Sequence, residues 1–311
     1  MKEITCLFCL PIAEAVHRLL REYGSQLQEI RIRAGKPLSV SISGKNRFVT
    51  ARGELTNAPQ EALRVDWDMI LKCLEFMSGS SLYAFENELK HGYITVEGGH
   101  RIGMSGKALV IDGHITGINP ITGFNVRIAH QILGCGEAVL PSLIQDGTLQ
   151  HTLILSPPGG GKTTMLRDLI RLISDRLELT VGVADERSEI GGCYRGVPQC
   201  DIGLRTDVLD ACPKAEGMHL LLRAMNPQVI AADELGSRAE LEEVQSILNA
   251  GVTLVCTAHS ASLEELRQRP GFAEILQRRT FQRVVVLSSR QGPGTVEAIW
   301  KLTEGGSYEP V

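Results

Sequence analysis

A phosphate-binding loop is predicted at Ser156-Pro157-Pro158-Gly159-Gly160-Gly161-Lys162-Thr163-Thr164. The loop follows the apolar run 152–155 and precedes a segment with helical spacing, 165–177. A strand, a glycine-rich loop and a helix in that order present backbone N–H groups and a helix N-terminus to an anion. We therefore expect the whole loop to bind nucleotide phosphates, although Ser156 stands where the pattern G-x-x-x-x-G-K-[ST] has its first glycine.

Two side chains of this loop have separate expected tasks. The Lys162 ammonium can reach the β- and γ-phosphates, and the Thr163 hydroxyl can bind Mg²⁺, so ATP and Mg²⁺ are the predicted ligands. The serine at position 156 is expected to cost little, because the neighbouring glycines and Lys162 carry the phosphate contacts.

Two carboxylates follow the apolar run 228–232, about seventy residues after the loop. An acid at the end of such a strand can hold Mg²⁺ through water, and a second acid can orient or deprotonate the attacking water. We assign the first role to Asp233 and the second to Glu234. Alone, two such acids would be ordinary solvated charges, but together with the phosphate loop they indicate hydrolysis.

Two more predicted strands end in polar side chains. The strand at 252–257 is followed by His259, a candidate, with Thr257, for sensing the γ-phosphate or the attacking water. The strand at 180–184 is followed by the acidic run 185–189, in which Glu186 is the expected assisting acid. Open α/β sheets bind ligands beyond the carboxyl ends of their strands, which favours a shared cleft. A surface salt-bridge cluster is the alternative for the acidic run.

Phosphoryl transfer also needs positive charge at the γ-phosphate, and a supplied arginine is worth roughly 10³–10⁵ in rate. The arginines that could act in this way across a subunit boundary are Arg101, Arg127, Arg187, Arg195, Arg205 and Arg223. The sequence does not distinguish between them, and most arginines are simply solvated.

The 311 residues suffice for about two domains. Residues 1–145 show short alternating segments and helical stretches, including Asp66–Met77 and Leu82–Leu89, and predict an α+β domain. In residues 146–311 strands and helices alternate, which predicts a parallel sheet with crossover helices. A further strand is expected at 283–287, an edge strand at 295–302, and helices at 238–249 and at 263–268, where Pro270 is expected to stop the second helix.

Bulk properties narrow the function further. The net charge of −4 and the aromatic content of 5% disfavour a nucleic-acid partner. Apolar runs stay well short of the ~18 residues of a membrane span, and the N-terminus makes a poor signal peptide, so a cytoplasmic protein is expected. Cys6 and Cys9 form a C-x-x-C pair without a second pair at zinc spacing, which favours reduced thiols over a metal site.

Several longer runs resemble the family of stage III sporulation AA proteins: 185–190, 201–218, 222–236 and 257–260, with 28–37 and 99–103 in the first half. More distantly, the chain is similar to the hexameric secretion and type IV pilus ATPases. Their phosphate loop, Asp box, Walker B segment and His box correspond to 156–164, 185–189, 229–234 and 257–259. Where those ATPases often have glycine, this chain has Asp233, which supports metal binding there.

The resemblance covers nearly the whole chain and implies an ATPase with a RecA-like sheet, in which the His-box strand lies between the phosphate-loop strand and the Walker B strand. It also implies a homohexamer, in which the N-terminal domain packs on the next subunit. The implied partners are membrane proteins of the sporulation channel, which would hold the protein at the membrane periphery. Two alternatives stay open: a nucleotide-gated scaffold with little turnover, and a RecA-like nucleic-acid motor.

Overall fold

The computed structural model describes residues 4–78 and 93–311. The chain divides into two compact units, 1–130 and 131–311. The division lies fifteen residues before the predicted boundary at 145/146, because the segment after Gln131 packs into the second unit. Leu140, Leu143 and Leu149 share a core cluster with Leu166 and Leu169 of the helix that follows the phosphate loop.

The first unit is a seven-stranded antiparallel sheet with two helices among its described residues. The sheet order is β4-β3-β2-β1-β7-β6-β5. The strands are β1 (Leu27–Arg33), β2 (Ser39–Ile42), β3 (Lys45–Val49), β4 (Leu55–Thr56), β5 (Tyr93–Val96), β6 (His100–Ile111) and β7 (His114–Arg127). The helices are α1 (Leu10–Tyr23) and α2 (Trp67–Ser78). The predicted helix at Asp66–Met77 is therefore found within a residue, whereas the one at Leu82–Leu89 lies outside the described residues.

The core of this unit follows the periodicity of its elements. One stripe of α1, made by Ile12, Val16 and Leu19, is fully buried, as expected for apolar residues three and four positions apart. Strand β1 alternates, with Ile30 and Ile32 buried and the intervening side chains turned outward. Cys9 is buried beside Cys73, Cys6 is exposed, and both Cys6 and Cys9 are free thiols. In residues 4–78 and 93–311 no group of three or more His, Cys, Asp or Glu side chains could hold a metal ion.

The second unit is built on an eight-stranded sheet of order β12-β11-β13-β14-β10-β15-β16-β17. Its strands are β10 (Thr152–Ser156), β11 (Val181–Asp185), β12 (Thr206–Asp210), β13 (Val229–Ala232), β14 (Thr253–His259), β15 (Arg283–Ser288), β16 (Thr295–Leu302) and β17 (Tyr308–Pro310), and a separate short hairpin is made by β8 (Ile144–Gln145) and β9 (Thr148–Leu149). The first six strands in the order pair in parallel and the last two add antiparallel. The implied position of the His-box strand, β14 between β10 and β13, is confirmed.

Five helices of this unit connect the strands: α3 (Lys162–Arg176), α4 (Lys214–Ala224), α5 (Arg238–Asn249), α6 (Leu263–Arg267) and α7 (Pro270–Gln277). Separate apolar clusters cover the two faces of the sheet, which explains why the strands read as continuous apolar runs. The capping box of Ser237 and Glu240 is formed as predicted. Within the described ranges no helix is long and apolar enough to cross a bilayer.

The helix predicted at 263–268 is found as α6 and ends before Pro270, as expected. Pro270 then begins α7, which was not predicted, because proline at the first position of a helix leaves no intrahelical hydrogen bond unmade. Strand β16 is not the edge, since β17 pairs beside it. Strand β12, at the opposite edge, was not predicted. Its residues, 206–210, are only half-buried and include two aspartates, so the sequence lacks the apolar run that marks a buried strand.

Candidate nucleotide site

The predicted phosphate loop lies between the end of β10 and the first turn of α3. Gly161 precedes the helix with a φ of 89°, in the left-handed region that favours glycine. A Cβ at this position would lie 2.6 Å from the backbone nitrogen of Gly294, so glycine is required by space as well as by conformation. The Gly294 N–H donates to the carbonyl of Gly160 at 2.9 Å. The turn before β16 therefore braces the phosphate loop, a contact that the sequence did not reveal.

Ser156 is packed beneath the phosphate loop. It is fully buried, and its hydroxyl donates to the carbonyl of Pro157 at 2.6 Å. A Cβ on Gly160 would come within 2.0 Å of the Ser156 Oγ. The serine side chain therefore leaves room only for glycine at position 160.

Lys162, Glu234 and His259 meet at one carboxylate oxygen. The Lys162 Nζ lies 2.7 Å from Glu234 Oε1, the His259 Nε2 lies 2.9 Å from the same oxygen, and Lys162 and His259 are 3.3 Å apart. The Lys162 side chain is only 7% exposed. Three strand ends that are far apart in sequence therefore place their predicted catalytic residues together.

The acidity of Glu234 reflects these neighbours. Burial alone would raise the pKa of its carboxyl, but the hydrogen bond and charge of Lys162, together with His259 and Arg187, hold that pKa below its ordinary value. The Arg187 guanidinium lies 3.5 Å from Glu234 Oε2 within the same chain. Glu234 is therefore an ionised carboxylate surrounded by positive charge.

Asp233 is held by two threonine hydroxyls. Thr163 donates to Asp233 Oδ2 at 2.5 Å, and Thr257 donates to Asp233 Oδ1. Thr257 is fully buried and also accepts the Glu234 N–H at 2.8 Å, so it connects the two acids. A hydroxyl and a carboxylate oxygen side by side suit Mg²⁺, which prefers oxygen ligands and keeps several waters. Thr163 and Asp233 thus fit the metal role predicted for them.

The acidic run after β11 is organised from two sides. Buried Asp185 accepts the N–H groups of Glu189, Ile190 and Gly191 at 2.8–3.0 Å. Burial raises the pKa of Asp185 above its ordinary value, against the effect of these donors. From α3, the guanidinium of Arg167 donates to the carbonyls of Glu189 and Ile190 at 2.5 and 2.7 Å. Asp185 therefore shapes the loop and does not serve as a free acid in the cleft.

Glu186 and Arg187 from this loop do reach the cleft. A small cavity is lined by Ala184, Asp185, Glu186, Arg187, Glu189, Lys214, Asp233 and Glu234. The Glu186 carboxylate lies 3.6 Å from the Lys214 ammonium. Glu186 thus belongs to the same cleft as Glu234, but its partner there is a lysine that the sequence had not singled out.

The other arginine candidates lie elsewhere in their own units. Arg205 contacts the carbonyl of Ser174 and the carboxylate of Glu178, at the end of α3 away from the phosphate loop. Arg195 stacks over the Tyr194 ring at 5.2 Å, and Arg223 is exposed near the end of α4. In the first unit, Arg101 lies over the Tyr93 ring and Arg127 lies 3.6 Å from Glu29. A role for any of these across subunits stays a prediction.

Three basic residues missed by the sequence reasoning hold the backbone of the site. Lys214 donates to the carbonyl of Glu234 at 2.6 Å, Arg269 donates to the carbonyl of His259 at 2.5 Å, and Arg167 clamps the acidic loop. One of them carried a signal: Lys214 opens a helix, where the helix dipole disfavours a cation. The contacts to backbone carbonyls cannot be recognised in a single sequence, because every residue carries a backbone carbonyl.

Comparison with known proteins agrees with this site and fold. The family described as "Sporulation stage III, protein AA" matches residues 2–306. Stage III sporulation protein AA from Bacillus subtilis (strain 168) is 39% identical over 304 residues, which are 96% of this chain and 95% of that protein. Both matches extend across the two units, not over the phosphate loop alone.

Solved structures support the fold expected from the resemblance. The ATPase DotB from Yersinia pseudotuberculosis has a TM-score of 0.58 at 16% identity, covering 90% of this chain and 76% of that one. The pilus retraction motor PilT with bound ADP has a TM-score of 0.58 at 15% identity, covering 95% and 80%. The RecA-like α/β fold with a parallel sheet is thereby confirmed. With the sequence match over nearly its full length, the chain belongs to the stage III sporulation protein AA family.

Proposed function

We propose that the chain hydrolyses ATP with Mg²⁺ and so energises or assembles a sporulation channel complex at a membrane. The carrying observation is the meeting of Lys162, Glu234 and His259 at one carboxylate oxygen. A site that only bound nucleotide would not require a carboxylate placed to activate water. DotB is described as an ATPase and PilT as a pilus retraction motor with bound ADP, so this fold admits that chemistry.

The ion pair of Lys162 and Glu234 suggests how nucleotide binding prepares the base. When the Lys162 ammonium moves to the β- and γ-phosphates, Glu234 loses the partner that most lowers its pKa. Its carboxylate then becomes more basic and is free to orient water and take its proton. His259 stays within reach of Glu234, and Arg187 supplies positive charge from the same chain.

The predicted metal role completes this arrangement. Thr163 and Asp233 would hold Mg²⁺, which offsets the negative charge of the phosphates when bound. The hydrogen bonds of Thr257 keep Asp233 and the backbone of Glu234 in fixed relation, so the metal-binding acid and the water-activating acid are oriented together.

The cellular setting of the proposal comes from the family. The Bacillus subtilis relative is a stage III sporulation protein, and the resemblance to secretion ATPases implies six copies in a ring that acts on membrane proteins. In such a ring an arginine of one copy could reach the site of the next. Light scattering with and without ATP tests this part, and a stable monomer in the presence of ATP would contradict both the ring and the arginine in trans.

Turnover by the purified full chain is the primary test. Phosphate release from MgATP is measured for the wild type, Lys162→Ala and Glu234→Gln. We expect both variants to lose turnover, Lys162→Ala with weakened ATP binding and Glu234→Gln with binding retained. Turnover that persists unchanged in either variant would overturn the proposal. A wild type that binds ATP without hydrolysing it, alone and with its membrane partners, would favour a nucleotide-gated scaffold.

A further inference from the structure

Lys214 is a buried lysine whose ammonium lies beside the water-activating glutamate without touching its carboxylate. Its side chain is 8% exposed, and its Nζ donates to the backbone carbonyl of Glu234 at 2.6 Å. Lys214 is the first residue of α4, where the partial positive charge of the helix end disfavours a cation. A residue that opposes the local preference and is buried at a site has to be explained by its contacts.

Those contacts come from three separate elements. Besides the Glu234 carbonyl at the end of β13, the ammonium lies 3.4 Å from the Glu240 carboxylate and 3.6 Å from the Glu186 carboxylate. Glu240 is the glutamate of the capping box that begins α5, and Glu186 follows β11. The ammonium thus donates one hydrogen bond, to the Glu234 carbonyl, and has two carboxylates within ion-pair distance. Lys214 therefore ties the ends of two strands to the start of a helix.

Glu234 needs such support because its backbone is in an unfavourable conformation. Its φ is 55°, in the left-handed region, which non-glycine residues rarely adopt. The peptide groups on both sides are fixed: the Glu234 N–H donates to Thr257 Oγ1 at 2.8 Å, and the Glu234 carbonyl accepts from Lys214. The Leu235 N–H also donates to the carbonyl of Thr257 at 2.8 Å. With this backbone the carboxylate meets Lys162 and His259.

We propose that Lys214 is a positioning residue for Glu234, which holds the main chain in the left-handed conformation that aims the carboxylate at the phosphate loop. It acts through the backbone and does not contact nucleotide. Its contacts with Glu186 and Glu240 keep the charge of the buried ammonium balanced. The inference rests on the proposed ATPase function and deepens it, because it names the residue that places the base.

If Lys214 positions Glu234, replacing Lys214 should lower turnover only through its effect on Glu234. In Lys214→Gln, which keeps an N–H donor but loses the charge, we expect kcat to fall at least about tenfold, since misplacing a catalytic group by 1 Å can cost about 10²-fold. The dissociation constant for ATP should stay within about twofold, because the phosphate loop is untouched. The exposed Lys301→Gln is the matched control and should leave both quantities unchanged.

A double-mutant cycle separates positioning from general damage. Lys214→Gln is measured alone and in a Glu234→Gln background, under single-turnover conditions with enzyme in excess so that slow rates are resolved. If Lys214 acts through Glu234, it lowers the rate about tenfold in the first background and less than about twofold in the second. Thermal unfolding followed by circular dichroism confirms that each variant is folded.

The remaining outcomes of these measurements would contradict the positioning role. The positioning role would be overturned if the rate losses of the two single variants multiplied in the double variant. It would also be overturned if the ATP dissociation constant rose as kcat fell. In both cases the ATPase proposal would stand. A Lys214→Gln variant with wild-type kcat would have the same consequence. A wild type without turnover, under conditions in which it binds ATP, overturns the proposed function and this inference together.

Discussion

The Lys162 ammonium lies 2.7 Å from Oε1 of Glu234, so the side chain expected to hold phosphates and the one expected to activate water form a partly buried ion pair. Each charge neutralises the other, so the ion pair must break before Lys162 can bind phosphates and Glu234 can activate water. Nucleotide binding and activation of the base therefore compete for the same lysine, which has consequences for both steps.

Glu234→Gln should separate those steps. We expect turnover to fall about 10²–10⁴-fold, the usual contribution of a general base. ATP should bind at least as tightly as in the wild type, because the amide no longer competes for the Lys162 ammonium. Phosphate release and a nucleotide titration measure the two quantities. Glu242→Gln, at an exposed carboxylate paired with Arg238, is the control and should change neither. Weaker ATP binding in Glu234→Gln would contradict the competition.

The fit between Ser156 and Gly160 predicts a rescue. Gly160→Ala should weaken ATP binding at least about tenfold, because its Cβ would lie 2.0 Å from the Ser156 Oγ and the loop must shift. Ser156→Gly alone should cost little, and in the double variant it should restore much of the binding. The remaining neighbour, the Pro157 carbonyl at 3.1 Å, makes the rescue incomplete. An unrescued double variant, or much tighter ATP binding by Ser156→Gly alone, would show that the serine has another role.

Thr257 offers a test with a nearly isosteric pair. Thr257→Val removes the hydroxyl that accepts the Glu234 N–H and donates to Asp233, leaving a buried N–H unsatisfied at a cost of about 1–3 kcal/mol. We expect lower kcat and lower Mg²⁺ affinity in this variant. Thr257→Ser keeps the hydroxyl and should retain most of both. Equal behaviour of the two variants would mean that the hydroxyl does not organise the acids.

Asp168 predicts how stability depends on pH. Burial alone would raise the pKa of this carboxyl, but the Gly136 N–H at 2.7 Å, Arg171 and the Gly134 N–H hold it below its ordinary 3.8. Because the folded pKa is the lower one, the carboxylate stabilises the fold above pH 3.8, and this contribution is lost as pH falls through the folded pKa. Asp168→Asn should cost about 1–3 kcal/mol at pH 7 and progressively less in acid.

Urea unfolding at several pH values between 3 and 7 measures that difference. Asp207→Asn, at an exposed carboxylate on β12, is the matched control and should be nearly neutral throughout. A cost for Asp168→Asn that did not shrink toward low pH would mean that geometry, and not charge, explains the contribution of Asp168.

Much of the second unit could be predicted because its signals are local. The buried strands β10, β13, β14 and β15 are continuous apolar runs, and each is found within two residues of its expected bounds. Their carboxyl ends meet at one edge of a parallel sheet, so polar residues directly after them had to converge. For this reason the sequence alone predicts that Lys162, Asp233, Glu234 and His259 lie together.

What could not be predicted depends on contacts between segments distant in sequence. Lys214 and Arg167 act on backbone carbonyls, and a carbonyl acceptor leaves no residue-type signal to read. The role of Asp185 was also missed, because a buried carboxylate that accepts three N–H groups looks in sequence like any acid at a strand end. Strand β12 lacks the apolar run that marked its neighbours.

The place of β14 between β10 and β13 has a consequence for how the site is joined. Strands in a sheet are about 4.8 Å apart, so one intervening strand sets β10 and β13 roughly 10 Å apart. Two side-chain pairs connect the segments that follow these strands: Lys162 with Glu234, and Thr163 with Asp233. His259, at the end of the middle strand, contacts Glu234 as well. A shift of any one of the three strands would therefore disturb the expected metal pair and the expected base together.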